Sequence, residues 1–220
     1  MPVNSPNVSN NLLSSAYQLL PKHGWKSSLA VAFSQSNLKL SPSCLSGLYP
    51  QGQDIALVNH VRNHLCNVYS MQRMRSPTLK EMNLIMNIDY VDQGIKDKLA
   101  VLISGIYARA EFISKHSSLW PEALSILMKS STIDILVKDP LDTADALLCQ
   151  CDLQFSDLEW YSFRALLSKI LLSTEIMICS SPDMHERDVE DLKIYITNRF
   201  KSYYLSRNSL SKVGFVLLLP

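Results

Sequence analysis

Apolar residues recur at three- and four-residue steps along most of the chain, the period of helices that bury one face. Leu12, Leu13, Ala16, Tyr17, Leu19 and Leu20 form the first such stripe, and Pro21-Lys22-His23-Gly24 interrupts it. A second short helix is expected over 27–36. Ser41-Pro42 is an N-cap residue followed by proline at the first helical position, and it starts a third, which ends before Tyr49-Pro50-Gln51-Gly52. A longer helix is expected over 53–74. After the Ser76-Pro77 break, Leu79, Met82, Ile85 and Met86 give a short amphipathic piece. The next long helix runs from Lys96 to Ile113, with Leu99, Leu102, Ile103, Ile106 and Ala110 on its inner face. Trp120-Pro121 opens another, with Ala123, Leu124, Leu127 and Met128 inward. Asp139-Pro140 is expected to break the chain before a helix from Leu141 to Cys149. Asp157 caps a further helix that Pro182 ends, and the last, over 182–204, carries Val189, Leu192, Tyr195, Ile196, Phe200 and Tyr203. The pattern predicts an all-α protein. Its parts would be a disordered start over 1–10, a three-helix unit over 11–52, a larger helical domain over 53–206 and a tail over 207–220.

Composition supports this class. At 220 residues and 47% hydrophobic, the chain can bury one sizeable core, and six glycines are few for a parallel nucleotide-binding fold. Net charge is +1, yet no acidic residue follows Asp191, while Lys193, Arg199, Lys201, Arg207 and Lys212 do. Such an end fits an acidic surface as well as it fits a solvated helix face. The five cysteines show no framework spacing and read as reduced thiols. His60 and His64 are four apart but lack a third ligand of matching spacing. No glycine-rich phosphate loop, nucleophile elbow or zinc-protease signature is present, and no Glu-x-x-His pair for a di-iron bundle. Glu175, inside an apolar helix, is read as an edge or paired carboxylate before a functional one. No catalytic residue, metal or cofactor is assigned. The first ten residues carry neither a hydrophobic run nor an arginine, so no targeting segment is legible in them.

Trp160 and Tyr161 pose a local problem. Neighbours on a helix point about 100° apart, so two adjacent aromatic rings cannot both face one core. Phe163, Leu166, Leu167, Ile170 and Leu171 run inward, which places Trp160, three residues before Phe163, near the edge of the stripe. The spacing admits an aromatic pair at a rim or a helix packed on two sides.

The three N-terminal helices have the shape of a helix-turn-helix, and AYQLLPKHGW with NLKLSPSCLSGLYPQG resembles the N-terminal domain of TetR-class regulators. In that class the third helix reads DNA. Here it is SPSCLSGLYP, without Lys, Arg, Asn or Gln, so the groups that hold phosphate and read base edges are missing. A DNA-binding regulator is therefore the second-ranked reading.

A sharper resemblance rests on WPEALSILM at 120–128 and on D-x-x-W-Y-x-x-R-A-x-L, followed by S-T-E and S-S-P-D, within 157–183. In this order they resemble the TetR-like lipid-binding accessory proteins of mitochondrial ubiquinone synthesis, the family numbered nine among the coenzyme Q biosynthesis proteins. The likeness covers most of 12–200. It implies an all-α TetR-like fold with a lipid cavity in the larger domain, a homodimer, and residence on the matrix face of the mitochondrial inner membrane. It also implies a non-enzymatic role without nucleic acid. The protein would bind isoprenoid quinone intermediates and phospholipids, and would serve the pathway's di-iron hydroxylase and synthesis complex. The family's partner-binding patch maps to Trp160, Tyr161 and Arg164. Its membrane-docking C-terminal helix maps to the tail, where Phe200, Tyr203, Tyr204, Arg207 and Phe215 are the expected contacts. The chain departs from the family at both ends: no presequence is legible, and the amphipathic pattern weakens after Ser206.

Overall fold

The computed structural model describes residues 5–36, 41, 43–71, 82–83, 93–129, 131–151, 157–181 and 186–217. Eight helices are bounded within them. These are α1 (Ser5–Gln35), α2 (Ser43–Leu48), α3 (Gln53–Met71), α4 (Gln93–Ser114), α5 (Trp120–Leu127), α6 (Ile133–Cys151), α7 (Asp157–Ser180) and α8 (Glu186–Leu217). No strand occurs among the described residues, so the protein is all-α. The chain divides into two compact units, Met1–Asn67 with Ser118–Asp139 and Val68–Ser117 with Pro140–Pro220. This division falls inside α3 and α6 and differs from the boundary expected between 52 and 53.

α1 is two helical segments joined at Gly24, whose φ of 67° lies in the left-handed region that glycine tolerates best. The expected interruption is therefore present, but as a kink inside one element. The helix starts at Ser5, so the disorder expected over 1–10 does not hold for 5–10. Both segments bury their stripes: Leu12, Leu13, Ala16 and Leu20 before the kink, and Trp25, Leu29, Ala32 and Phe33 after it. Trp25 meets Trp120 of α5 edge-on, with ring centroids 6.1 Å apart, and its Nε1 donates to the Leu119 carbonyl at 2.8 Å. The Arg62 guanidinium lies 5.7 Å over the Trp120 ring and donates to Asp139 Oδ2 at 2.6 Å, and both partners are buried. WPEALSIL is thus a core helix of the first unit.

In the second unit α4, α7 and α8 pack on one another. Leu99, Leu102, Ile103, Ile106 and Ala110 of α4 are buried as the spacing predicts. So are Phe163, Leu167, Ile170 and Leu171 of α7, and Leu192, Ile196 and Phe200 of α8. Buried polar side chains of this core meet partners. Arg109 Nη2 donates to Glu175 Oε1 at 2.7 Å and Nη1 lies 3.4 Å from Thr143 Oγ1, while Tyr107 shares a hydrogen bond with Thr197. Glu175 is fully buried and paired, in accord with the reading that made it a structural carboxylate.

Two expected boundaries are corrected. α6 runs unbroken through Asp139-Pro140, although Pro140 removes one helical hydrogen bond and crowds the preceding turn. Anchors on each side outweigh that cost: Asp139 is held by Arg62, and the Pro140 carbonyl lies 3.4 Å from the Ser168 hydroxyl. α8 continues past Tyr204 to Leu217, because no proline and no glycine before Gly214 interrupts it, and a helix needs no amphipathic stripe to persist. The piece expected around Leu79–Met86 lies outside the described residues except at 82–83.

Removing one partner of a buried pair strands the other charge. Glu175→Ala should lower unfolding stability by about 3–5 kcal/mol, read by urea denaturation. Combining Glu175→Leu with Arg109→Met should recover most of that loss. A Glu175→Ala protein as stable as the parent would show that the pair does not hold this core.

Candidate functional site

The polar edge of α7 positions the site. Arg164, Ser168 and Glu175 are four and seven residues apart, so they fall within about 40° of one another on the helix. Each reaches a neighbouring helix of its own unit: Arg164 reaches Asp145 on α6, Ser168 reaches Pro140 on α6, and Glu175 reaches Arg109 on α4. This row fixes the rotation of α7. It sends Phe163, Leu167 and Ile170 into the core and leaves the helix start at the margin.

At that margin Trp160 is half-buried and Tyr161 is 63% exposed, their rings edge-on with centroids 5.0 Å apart. Arg164, one turn on, lies 5.4 Å over the Trp160 ring. Its Nε donates to Asp145 Oδ1 at 2.5 Å and its Nη2 to Oδ2 at 2.7 Å, a two-pronged clamp. The hydrogen bond that Arg164 donates to Asp145 raises the Arg164 pKa further above its already high value, so the guanidinium is permanently charged. A partly exposed ion pair of this kind contributes about 0–1 kcal/mol to stability. Its consequence is positional: the planar guanidinium holds one face of the indole while the phenol stays in solvent. The structure thus brings together Trp160, Tyr161 and Arg164. It adds Asp145, which sequence reading missed, because nothing in the sequence spacing links a carboxylate to an arginine 19 residues away. Only the packing of α6 on α7 makes them neighbours.

The residues expected to dock the tail on membrane are placed otherwise. Phe200 is fully buried and Tyr204 nearly so, with ring centroids 6.1 and 6.4 Å from that of Phe163, while half-buried Tyr203 meets the same ring at 5.5 Å. These rings form an aromatic cluster inside the second unit, and in this conformation Phe200 and Tyr204 face the core instead of a bilayer. Arg207 and Phe215 lie on the helical backbone of α8, but their side chains fall outside the described residues. No helix among the described residues is long and apolar enough to cross a membrane.

A cavity of about 470 Å³ opens along α1, lined by residues of both segments from Val8 to Ser36. It lies in the first unit, not in the 53–206 region where a lipid cavity was expected. Asn11, Ser15, Gln18, Gln35 and Ser36 make its lining half polar. Among the described residues no three His, Cys, Asp or Glu side chains gather as a metal site. His60 is held below its usual pKa by burial and then by His64, and burial pushes the Cys151 thiol up to about 12. Neither group is poised as a nucleophile or base in a cleft.

No family model matches the sequence. Individual proteins do. The chain is 25% identical to the mitochondrial ubiquinone biosynthesis protein COQ9 of Drosophila melanogaster over 170 residues, covering 77% of this chain and 48% of that protein. It is 26% identical to COQ9 of Homo sapiens over 196 residues (87% and 56%), and 26% identical to COQ9-B of Xenopus laevis over 212 residues (94% and 66%). The chain that carries this all-helical fold and aromatic rim is thus similar in sequence to COQ9 proteins of ubiquinone biosynthesis. Along most of its length it is COQ9-like, and it spans about half to two-thirds of the relatives' length.

If Arg164 holds the indole face, releasing it should loosen Trp160. Asp145→Ala is expected to raise acrylamide quenching of a Trp160-only variant while changing stability by about 1 kcal/mol or less. Unchanged quenching would separate the clamp from the aromatic pair.

Proposed function

We propose that the protein is a non-enzymatic accessory protein of ubiquinone biosynthesis in the mitochondrion. It binds isoprenoid quinone intermediates and phospholipids, works as a homodimer at the matrix face of the inner membrane, and docks the di-iron hydroxylase of the pathway through Trp160, Tyr161 and Arg164. The carrying observation is a half-buried Trp160 beside an exposed Tyr161, braced by Arg164–Asp145, in a chain that is COQ9-like over most of its length. Aromatic and arginine side chains dominate the energy of protein interfaces when they enter a pocket and lose water. A pair already held edge-on loses little freedom on binding, so more of its burial appears as affinity.

The lipid half of the role answers a solubility problem. Each CH₂ moved out of water is worth about 0.8 kcal/mol, so a polyprenyl tail does not diffuse to an aqueous active site unaided. The α1 cavity does not suit such a tail, because its amides and hydroxyls would be desolvated against hydrocarbon. A tail requires apolar lining elsewhere among the helices. For DNA binding no observation speaks: α2, SCLSGL, carries no group that pairs with a phosphate as a cation or reads a base edge with an amide.

Mass spectrometry of lipids that co-purify with the protein tests the lipid reading. The expected result is bound isoprenoid quinone species together with phospholipid. Protein that purifies free of both would overturn that reading.

A further inference from the structure

The turn between α5 and α6, in the first unit, displays three large apolar side chains outside any role described so far. Met128 is 60% exposed, Ile133 47% and Val137 54%. Ile133 and Val137, four residues apart, share one face of α6. Met128 lies just before the turn that leads to them.

The turn itself is tightly built. Thr132 is buried, and its Oγ1 lies 3.1, 3.2 and 3.3 Å from the carbonyls of Ile126, Leu127 and Lys129, sharing its one proton among them. Backbone bonds from Met128 N to Leu124 O, Thr132 N to Lys129 O and Ile135 N to Thr132 O close the corner. The apolar trio is therefore presented by an ordered frame, which removes the cost of ordering it on contact.

Charge decides what such a corner fits. Lys129 and Lys138 flank the trio, both are exposed, and neither makes an ion pair with a described residue. Asp134, exposed in the first turn of α6, offsets one of the two charges. Apolar side chains framed by lysines match the boundary between headgroups and acyl chains, where lysine stems lie along hydrocarbon and their ammonium groups reach phosphate. An uncompensated lysine near an anionic leaflet adds about fivefold to partitioning.

We propose that this corner seats the protein on a bilayer containing anionic phospholipid. Met128, Ile133 and Val137 enter the headgroup boundary, and Lys129 and Lys138 sit on lipid phosphates. The inference rests on the membrane-surface role proposed above, and it assigns that contact to α5–α6 instead of Phe200 and Tyr204.

The test is co-sedimentation of the full chain with phosphatidylcholine vesicles, with and without cardiolipin. The parent should partition onto the cardiolipin vesicles. Met128→Glu with Val137→Glu should lower partitioning at least about tenfold, which corresponds to losing 1.4 kcal/mol. Lys129→Glu with Lys138→Glu should do the same, and Trp160→Ala should have no effect. All four altered corner positions are exposed, so thermal unfolding should be unchanged. Double variants that bind like the parent would overturn the corner and leave the membrane role to another surface. A parent protein that binds neither vesicle would overturn the membrane role with it, while leaving lipid co-purification and hydroxylase docking intact.

Discussion

Glu175 carries a carboxylate into the interior of the second unit, where an unpaired charge is prohibitively costly. Its position is tolerable only if Arg109 of α4 meets it, and that requirement sets the rotation of α7 to within a fraction of a turn. Ser168 and Arg164 lie on the same edge and reinforce the setting through α6. With α7 so oriented, Phe163 falls onto Phe200, Tyr203 and Tyr204, and the start of the helix emerges at the rim with Trp160 and Tyr161 on it. The aromatic pair at the rim is a consequence of how the buried charge is satisfied.

Much of this was legible in the sequence. Stripes at three- and four-residue steps located the inward faces of α4, α7 and α8, because burial of one helix face leaves a periodic trace. Adjacent aromatics at Trp160 and Tyr161 left two arrangements open, a pair at a rim or a helix packed on two sides, and the structure has Trp160 half-buried and Tyr161 exposed. Proline misled at Pro140, where contacts distant in sequence hold a helix that local preference would end. Asp145 left no trace, since its significance comes from the approach of two helices. Phe200 and Tyr204 were legible as apolar positions, but a stripe does not say whether it packs on protein or on lipid, and here it packs on Phe163.

The likeness to COQ9 proteins covers most of the chain, and the geometry of the rim sorts its residues. Likeness at 25–26% identity does not by itself distinguish a contact surface from a core. The structure makes that distinction within the D-x-x-W-Y-x-x-R block: Phe163 is core, Tyr161 is solvent-facing, and Trp160 with Arg164 bridges the two. WPEALSILM divides as well. Trp120, Ala123 and Leu127 are buried, Arg62 stacks on Trp120, and Met128 at the end of the motif is exposed. A single short motif thus holds buried and exposed residues side by side.

The central claim is that the Trp160–Tyr161 rim binds the di-iron hydroxylase without carrying the fold. Measuring hydroxylase affinity and thermal unfolding together on Trp160→Ala and Tyr161→Ala tests it most directly. Affinity should fall by about 2 kcal/mol or more, as for hot-spot residues, with unfolding little changed, most clearly for exposed Tyr161. Variants that keep full affinity, or that lose affinity only in proportion to lost stability, would contradict the claim.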